Sequence, residues 1–213
     1  MQQYTVTRIP NNAIKITGTS GHDLWKEAVV LNEFKSPWDS APVSPIEFRA
    51  LHDTKNLYFS FRVYDEKVHI DTTDDSDESI GNSDRVELFF RADAQLNPYF
   101  CLEMDPTPRV MDFKAKYQRN FDFNWNWPAS DFQIQSVIEN DHFVVEGAIS
   151  IASLSSYGLL KNGKIETGIY RAKFNEVSKG NYEPTWITWV DPKTPEPDFH
   201  LPASFGVLEL EGL

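Results

Sequence analysis

Cationic side chains are in short supply in this 213-residue chain: 20 Lys and Arg stand against 32 Asp and Glu, a formal charge of -12. A phosphate backbone or an anionic lipid surface is repelled by such a field, which sets nucleic acid and membrane surfaces aside as partners. Cysteine is nearly absent too. Cys101 stands alone, so neither an internal disulfide nor a cysteine-built zinc site can form. No apolar run approaches the roughly 18 residues of a membrane span. The opening "MQQYTVTRIPNNAIKI" lacks the basic head and continuous apolar stretch of a signal peptide. A soluble chain is expected, cytoplasmic as it stands, or periplasmic or secreted if a leader has been removed. Also missing are a Gly-rich phosphate loop, G-x-S-x-G and H-E-x-x-H. The five histidines, His22, His52, His69, His142 and His200, form no i, i+4 pair on a helix, so a histidine metal site is not expected.

Helical periodicity is scarce as well, and what replaces it is alternation. Short runs rich in Val, Ile, Phe and Tyr recur between turn signals: "AIKIT" from 13, "IEFRAL" from 46, "NLYFSFRVY" from 56, "RVELFF" from 85, "YFCLEM" from 99, "RVMDFKAKY" from 109, "FQIQSVI" from 132, "HFVVEGAIS" from 142, "IYRAKFNEV" from 169, "TWITWV" from 185 and "FGVLEL" from 205. Only "HDLWKEA" from 22, with an Asp that could cap it, and "IASLSSYG" ending at Gly158 suggest helix. The pattern predicts an all-β fold, a two-sheet antiparallel β-sandwich of jelly-roll or immunoglobulin-like kind with minimal helix, and one domain over residues 1–213.

Two interruptions stand out. "DTTDDSDESIGNSD", residues 71–84, carries Asp71, Asp74, Asp75, Asp77 and Glu78, oxygens of the kind that hold calcium. It has no Gly at the sixth position and no Glu at the twelfth, so it is not an EF-hand. Either it holds calcium through Asp74, Asp75 and Asp77 with Asp65 from the preceding strand, or it is a solvated, self-repelling loop. The second, "QRNFDFNWNWPASD" from 118, is aromatic. Rings suit sugars, whose apolar C–H faces stack on flat side chains while their hydroxyls need fixed polar partners. Trp25, Trp38, Trp125, Trp127, Trp186 and Trp189 are available, though Trp is also a core residue. Trp186 and Trp189, three apart on a strand, point to opposite faces, and one belongs to the core. Phe199 lies between Pro197 and Pro202, which stiffen its loop and keep it out of a ladder.

The stretches "ITGTSGHDLWKEA", "LHDTKNLYFSFRVYDE", "SDRVELFF", "YFCLEMDP", "YRAKFNEV" and "TWITWVDP…PDFHLPASFGVLEL", in that order, resemble carbohydrate-binding module family 9 and its single-domain relatives. The resemblance implies a non-catalytic β-sandwich that binds a mono-, oligo- or polysaccharide, with structural calcium ions, working beside polysaccharide-degrading enzymes such as a glycoside hydrolase partner. It implies that Phe199 stacks on the sugar and that Glu87, Lys173 and Asn175 bond its hydroxyls. Arg171 joins them on the face of Lys173, and Glu103 stands near a position where the family can carry Arg. The family's second stacking Trp has no counterpart here, where Ile80 or Gly81 occupies the place; Trp125 or Trp127 could supply that ring. Three other readings compete: a haem-binding sandwich using His200, Met104 or Met111; a glycoside-acting enzyme with two carboxylates about 5–10 Å apart; and an accessory domain with a partner surface around "FDFNWNWP".

Overall fold

The alternation resolves into thirteen strands among the residues described by the computed structural model, 1–40 and 42–213. They are β1 (Gln3–Arg8), β2 (Ile46–His52), β3 (Asn56–Tyr64), β4 (Arg85–Arg91), β5 (Tyr99–Met104), β6 (Val110–Lys116), β7 (Asn120–Asp122), β8 (Phe132–Ile138), β9 (His142–Ser150), β10 (Leu160–Lys161), β11 (Lys164–Ser178), β12 (Asn181–Thr188) and β13 (Gly206–Leu210). Two short helices, α1 (Asp77–Gly81) and α2 (Ile151–Ser156), and two 3-10 turns, Asp23–Glu27 and Pro202–Ser204, complete the described elements.

One layer runs β7-β6-β5-β4-β11-β13 and the other β2-β3-β9-β8, with β1 lying between β13 and β2 and serving both. Gln3 to Val6 pair in parallel with Val207 to Leu210, and Thr7 and Arg8 pair in parallel with Leu51 and His52. The remaining strand pairs are antiparallel. Because β1 joins the edges, the chain forms a curled, jelly-roll-like sandwich. The spine of the first layer is β11, which pairs with β4 along one side and with β13 and then β12 along the other.

The alternation of β4 sets the two faces of that layer. Val86, Leu88 and Phe90 point inward, where with Leu102 and Met104 of β5 they meet Phe59, Phe61 and Val63 of β3 and Phe143 and Val145 of β9. Trp189 joins this inter-sheet core at 2 % exposure. Phe89, Tyr99, Cys101, Phe113 and Tyr170 point outward and form a second apolar cluster under Phe199 and Phe205. The first layer is therefore covered on both faces by packed side chains.

Two local expectations fail for traceable reasons. "AIKIT" is not a strand: Ile14 packs beside Trp25 and Tyr58, and the amides of Thr17 and Gly18 donate to buried Glu146 Oε2 at 2.8 and 2.6 Å. A carboxylate has replaced a ladder partner. "HDLWKEA" tightens to a 3-10 turn whose cap is His22, its Nδ1 accepting from the Leu24 amide at 3.2 Å, rather than the Asp. The indole of Trp25 donates to Glu146 Oε1 at 2.7 Å, so both segments are drawn to one buried acid. By contrast α2 lies where expected, capped by Ser150.

Candidate functional site

The proline-rich segment 191–205 follows β12 and lies over the outer face of the first layer. Several contacts fasten it there. Tyr170 Oη donates to Ser204 Oγ at 2.8 Å, and Ser204 Oγ donates to the Phe199 carbonyl at 2.6 Å. Arg91 Nη1 donates to the Pro202 carbonyl at 2.8 Å, and Trp38 Nε1 to the Thr194 carbonyl at 3.1 Å. Tyr99 Oη lies 3.0 Å from His200 Nδ1, and Arg119 bridges to Asp198 at 2.8 Å. Between this cover and the sheet remains a pocket of about 160 Å³, bounded by Arg85, Glu87, Glu103, Trp186, Phe199 and His200 among others.

Strand register assembles its polar floor. Arg85 and Glu87 share the outer face of β4; Glu103 of β5 lies directly opposite Glu87 on one side and Tyr170 of β11 on the other. Arg85 Nε donates to Glu103 Oε2 at 2.7 Å and lies 3.0 Å from Glu87 Oε1, while Arg85 Nη1 donates to the Gly81 carbonyl at 2.6 Å. The single Nε–H is aimed at Glu103. Glu87 Oε1 is consequently close to a cation yet has no hydrogen-bond donor. Burial, joined by the charge of Glu103 and opposed by Arg85, pushes the Glu87 carboxyl up to about 8, and Glu103 is also raised, first by burial. Burial and the nearby Arg119, against Asp198, push the His200 imidazole down to about 4.

Phe199 reaches this pocket but is not held out into solvent. It is 6 % exposed, stacked on Tyr170 with centroids 4.1 Å apart, edge-on to Trp186 at 5.7 Å and tilted against Trp38 at 6.0 Å. The prolines keep the loop out of a ladder as expected, but the ring presses onto the sheet and contributes to a core. The stacking expectation is corrected to a wall of the pocket.

The other expected hydroxyl partners lie elsewhere. Tyr170 pairs with Glu87, so Arg171, Lys173 and Asn175, of opposite parity, occupy the other face of β11. Arg171 is ion-paired with Asp65 and lies 3.9 Å from Asp84. Lys173 Nζ sits 2.9 Å from Asp65 and 3.0 Å from Asp84. These charges form a buried clamp between β11, the end of β3 and the start of β4. Trp125 and Trp127 are farther still from supplying a second ring: Trp127 is 4 % exposed and packs edge-on to Phe90 and Phe100, which point into the inter-sheet core. Trp125 lies 4.8 Å from Phe100. Both close the sandwich on the face opposite Glu87. The ring that lines the pocket together with Phe199 is Trp186.

The four carboxylates expected to hold calcium do not converge. Asp65 is taken by Arg171 and Lys173, the Asp75 side chain is 94 % exposed, Asp74 Oδ1 accepts from Ser76, and Asp77 begins α1. Among the described residues no group of three His, Cys, Asp or Glu could hold a metal ion. As arranged, these side chains do not fit a calcium site. Of the haem candidates, Met104 lies in the inter-sheet core, away from His200 on the outer face, while Met111, paired opposite Glu103, packs against the same outer cluster as His200. Glu87 and Glu103 are the nearest thing to a glycosidase pair, but a guanidinium nitrogen sits between them, within 3.0 Å of both, where a scissile bond would have to lie.

Arg85 is a site residue the sequence did not single out, although it was within reach, because it stands two before Glu87 in "RVELFF" and must share its face. Trp186 was one of six available rings, and of the pair expected on opposite faces Trp189 takes the core and Trp186 the pocket. What the sequence did not give is its neighbour: only its pairing with Ala172 brings it over Arg85, whose guanidinium lies 5.5 Å from the indole centroid.

A two-layer sandwich whose outer sheet face carries a ring-walled pocket with a charged floor is the architecture of a small-ligand binding domain. Residues 16–213 match the carbohydrate family 9 binding domain-like family, and the chain belongs to it. Its fold is similar to that of a candidate carbohydrate-binding protein from Bacteroides uniformis, with TM-score 0.75 and 15 % identity over 99 % of each chain. It is also similar to a family 9 carbohydrate-binding module from Caldicellulosiruptor kristjanssonii in complex with glucose, with TM-score 0.65 and 15 % identity over 100 % of this chain and 97 % of that one. The same organism's family 9 module in complex with cellotriose gives TM-score 0.62 and 14 % identity over 100 % and 95 % of the two chains. Among curated protein sequences none matches. No described helix is long and apolar enough to cross a membrane.

Proposed function

We propose that the chain binds a saccharide in the pocket under segment 191–205 without covalent chemistry on it, in support of polysaccharide breakdown by a separate glycoside-acting enzyme. The observation that carries the reading is Glu87: a buried carboxyl with an oxygen lacking a donor, in the floor of a pocket walled by Trp186 and Phe199. Arg85 Nε lies 3.0 Å from that oxygen but is aimed at Glu103, so a ligand hydroxyl can supply the aligned hydrogen bond that Arg85 does not. With its ionisation pushed up to about 8, Glu87 is largely protonated at neutral pH and can both donate to and accept from a hydroxyl. Arg85 and Glu103 add a donor and a second acceptor. The sugars in the two Caldicellulosiruptor complexes make glucose and cellotriose the first ligands to try.

At about 160 Å³ the pocket is below the roughly 300 Å³ at which ordinary small-molecule sites begin, so one sugar ring is its limit and affinity is modest. Isothermal titration against mono- and disaccharides and cellotriose tests the proposal, with Glu87→Met, which keeps the volume and removes donor and acceptor together, as the variant. Saturable heat that falls at least tenfold in affinity in Glu87→Met is expected. Equal affinity in the two proteins would remove the pocket from the binding event.

A further inference from the structure

Lys173 and Asn175, displaced from the pocket, line something larger. A groove of about 860 Å³ runs between the β11–β12 hairpin and the segment after β3, with Tyr64, Lys67, His69 and Tyr182 along it. A second cavity of about 410 Å³ adjoins it and shares His69, Phe174 and Tyr182. Between the two stands a ring pair: His69 and Tyr182 are stacked with centroids 3.6 Å apart and planes 20° apart. A ridge of stacked rings flanked by two open hollows is shaped for a ligand that lies across it, not for one that enters end-on.

The groove's polar groups define the ligand's chemistry. Lys173 Nζ, half-buried, is fully engaged, donating to the Lys67 carbonyl at 2.6 Å and to Asp84 at 3.0 Å with Asp65 2.9 Å away, which leaves Lys67 as the other lysine of the groove. Glu66, Asp141 and Glu176 line the same groove and disfavour anions further. The amide nitrogen of Asn175 is held by the Lys173 carbonyl and Thr185 Oγ1, at 3.3 and 3.1 Å, which fixes its orientation. Rings, a fixed amide and surplus acceptors suit a neutral, hydroxyl-rich chain.

We infer that this groove is a second saccharide site, separate from the pocket, which takes an internal stretch of a neutral glycan chain across the His69–Tyr182 ridge. The ligand class rests on the saccharide reading of the pocket, but the two sites can be tested apart. Soluble mixed-linkage β-glucan, xylan and glucomannan would be the polymer probes in affinity gel electrophoresis, with titration of glucose and cellotriose alongside. Glu87→Met should keep polymer binding. Tyr182→Ala should lower polymer affinity at least tenfold and leave short-sugar binding unchanged, and Tyr182→Phe, which keeps the ring, should stay within about twofold of wild type. Thermal melts confirm that each variant is folded. Polymer binding undiminished in Tyr182→Ala, or abolished in Glu87→Met, overturns the groove. Failure of every polymer to retard the wild type does so too, whereas loss of short-sugar binding alone bears only on the pocket.

Discussion

Glu87 holds its carboxyl where ionisation is unfavourable, and that has a thermodynamic signature separate from any ligand. Between 4.5 and about 8 the folded chain retains a proton at Glu87 that the unfolded chain has released, so rising pH across this window favours unfolding. His200 works in the opposite sense: its ionisation is pushed from 6.5 to about 4, the unfolded chain binds the extra proton between those values, and stability rises with pH there. The two oppose each other up to about 6.5 and leave a net loss above it. Thermal melts of wild type and Glu87→Gln from pH 5 to 8 should show the variant gaining on the wild type as pH rises; parallel curves would mean that Glu87 ionises normally. Phe199 yields a prediction of another kind. Because it is packed against Tyr170, Trp186 and Trp38, Phe199→Ala should cost about 3 kcal/mol in urea unfolding, as a large-to-small core change. A cost under about 1 kcal/mol would return the ring to the surface. Its place on a braced loop was legible from the prolines. Its burial was not, because the rings that cover it come from distant positions whose meeting depends on sheet order.

At the scale of the element, parity explains both what the sequence revealed and what it concealed. Alternation within "RVELFF" assigns Arg85, Glu87 and Phe89 to one face without any structure, and alternation within "YRAKFNEV" assigns Arg171, Lys173 and Asn175 to another. Which of those faces coincide is a matter of register between β4 and β11, strands about 80 residues apart, and no local pattern encodes it. The expected site was therefore split in two, half under the proline-rich segment and half in a charge clamp. The clamp should be sensitive to removal of one member. Asp84 is fully buried, accepts from the Phe174 amide and sits within 4 Å of both Arg171 and Lys173. Asp84→Asn leaves two cations to share Asp65 and should cost about 3 kcal/mol, the scale for breaking a buried ion pair. Chemical denaturation reads it, and an effect below about 1 kcal/mol would show that Asp65 alone suffices.

For the whole molecule, the sandwich class was legible because about eleven alternating runs and little helix leave few other ways to bury a core of this size. The closing strand was not: "QYTVTR" alternates Tyr4 and Val6 well enough, but its role depends on two parallel partners, β2 and β13, roughly 150 residues apart in sequence. The separation of Asp65, Asp74, Asp75 and Asp77 leads to an expectation about these residues. Asp74→Asn with Asp75→Asn should leave the response of the melting temperature to calcium or a chelator the same as in the wild type. A response lost in that variant would return the two carboxylates to a metal site.

The position of β1 also constrains how the protein is made. Its register with β13 joins Gln3 to Val207, a closure of roughly 200 residues that must wait until β13 has been made. During synthesis β1 keeps an unpaired edge until β13 arrives, and in that interval it is open to pairing with a neighbouring nascent chain.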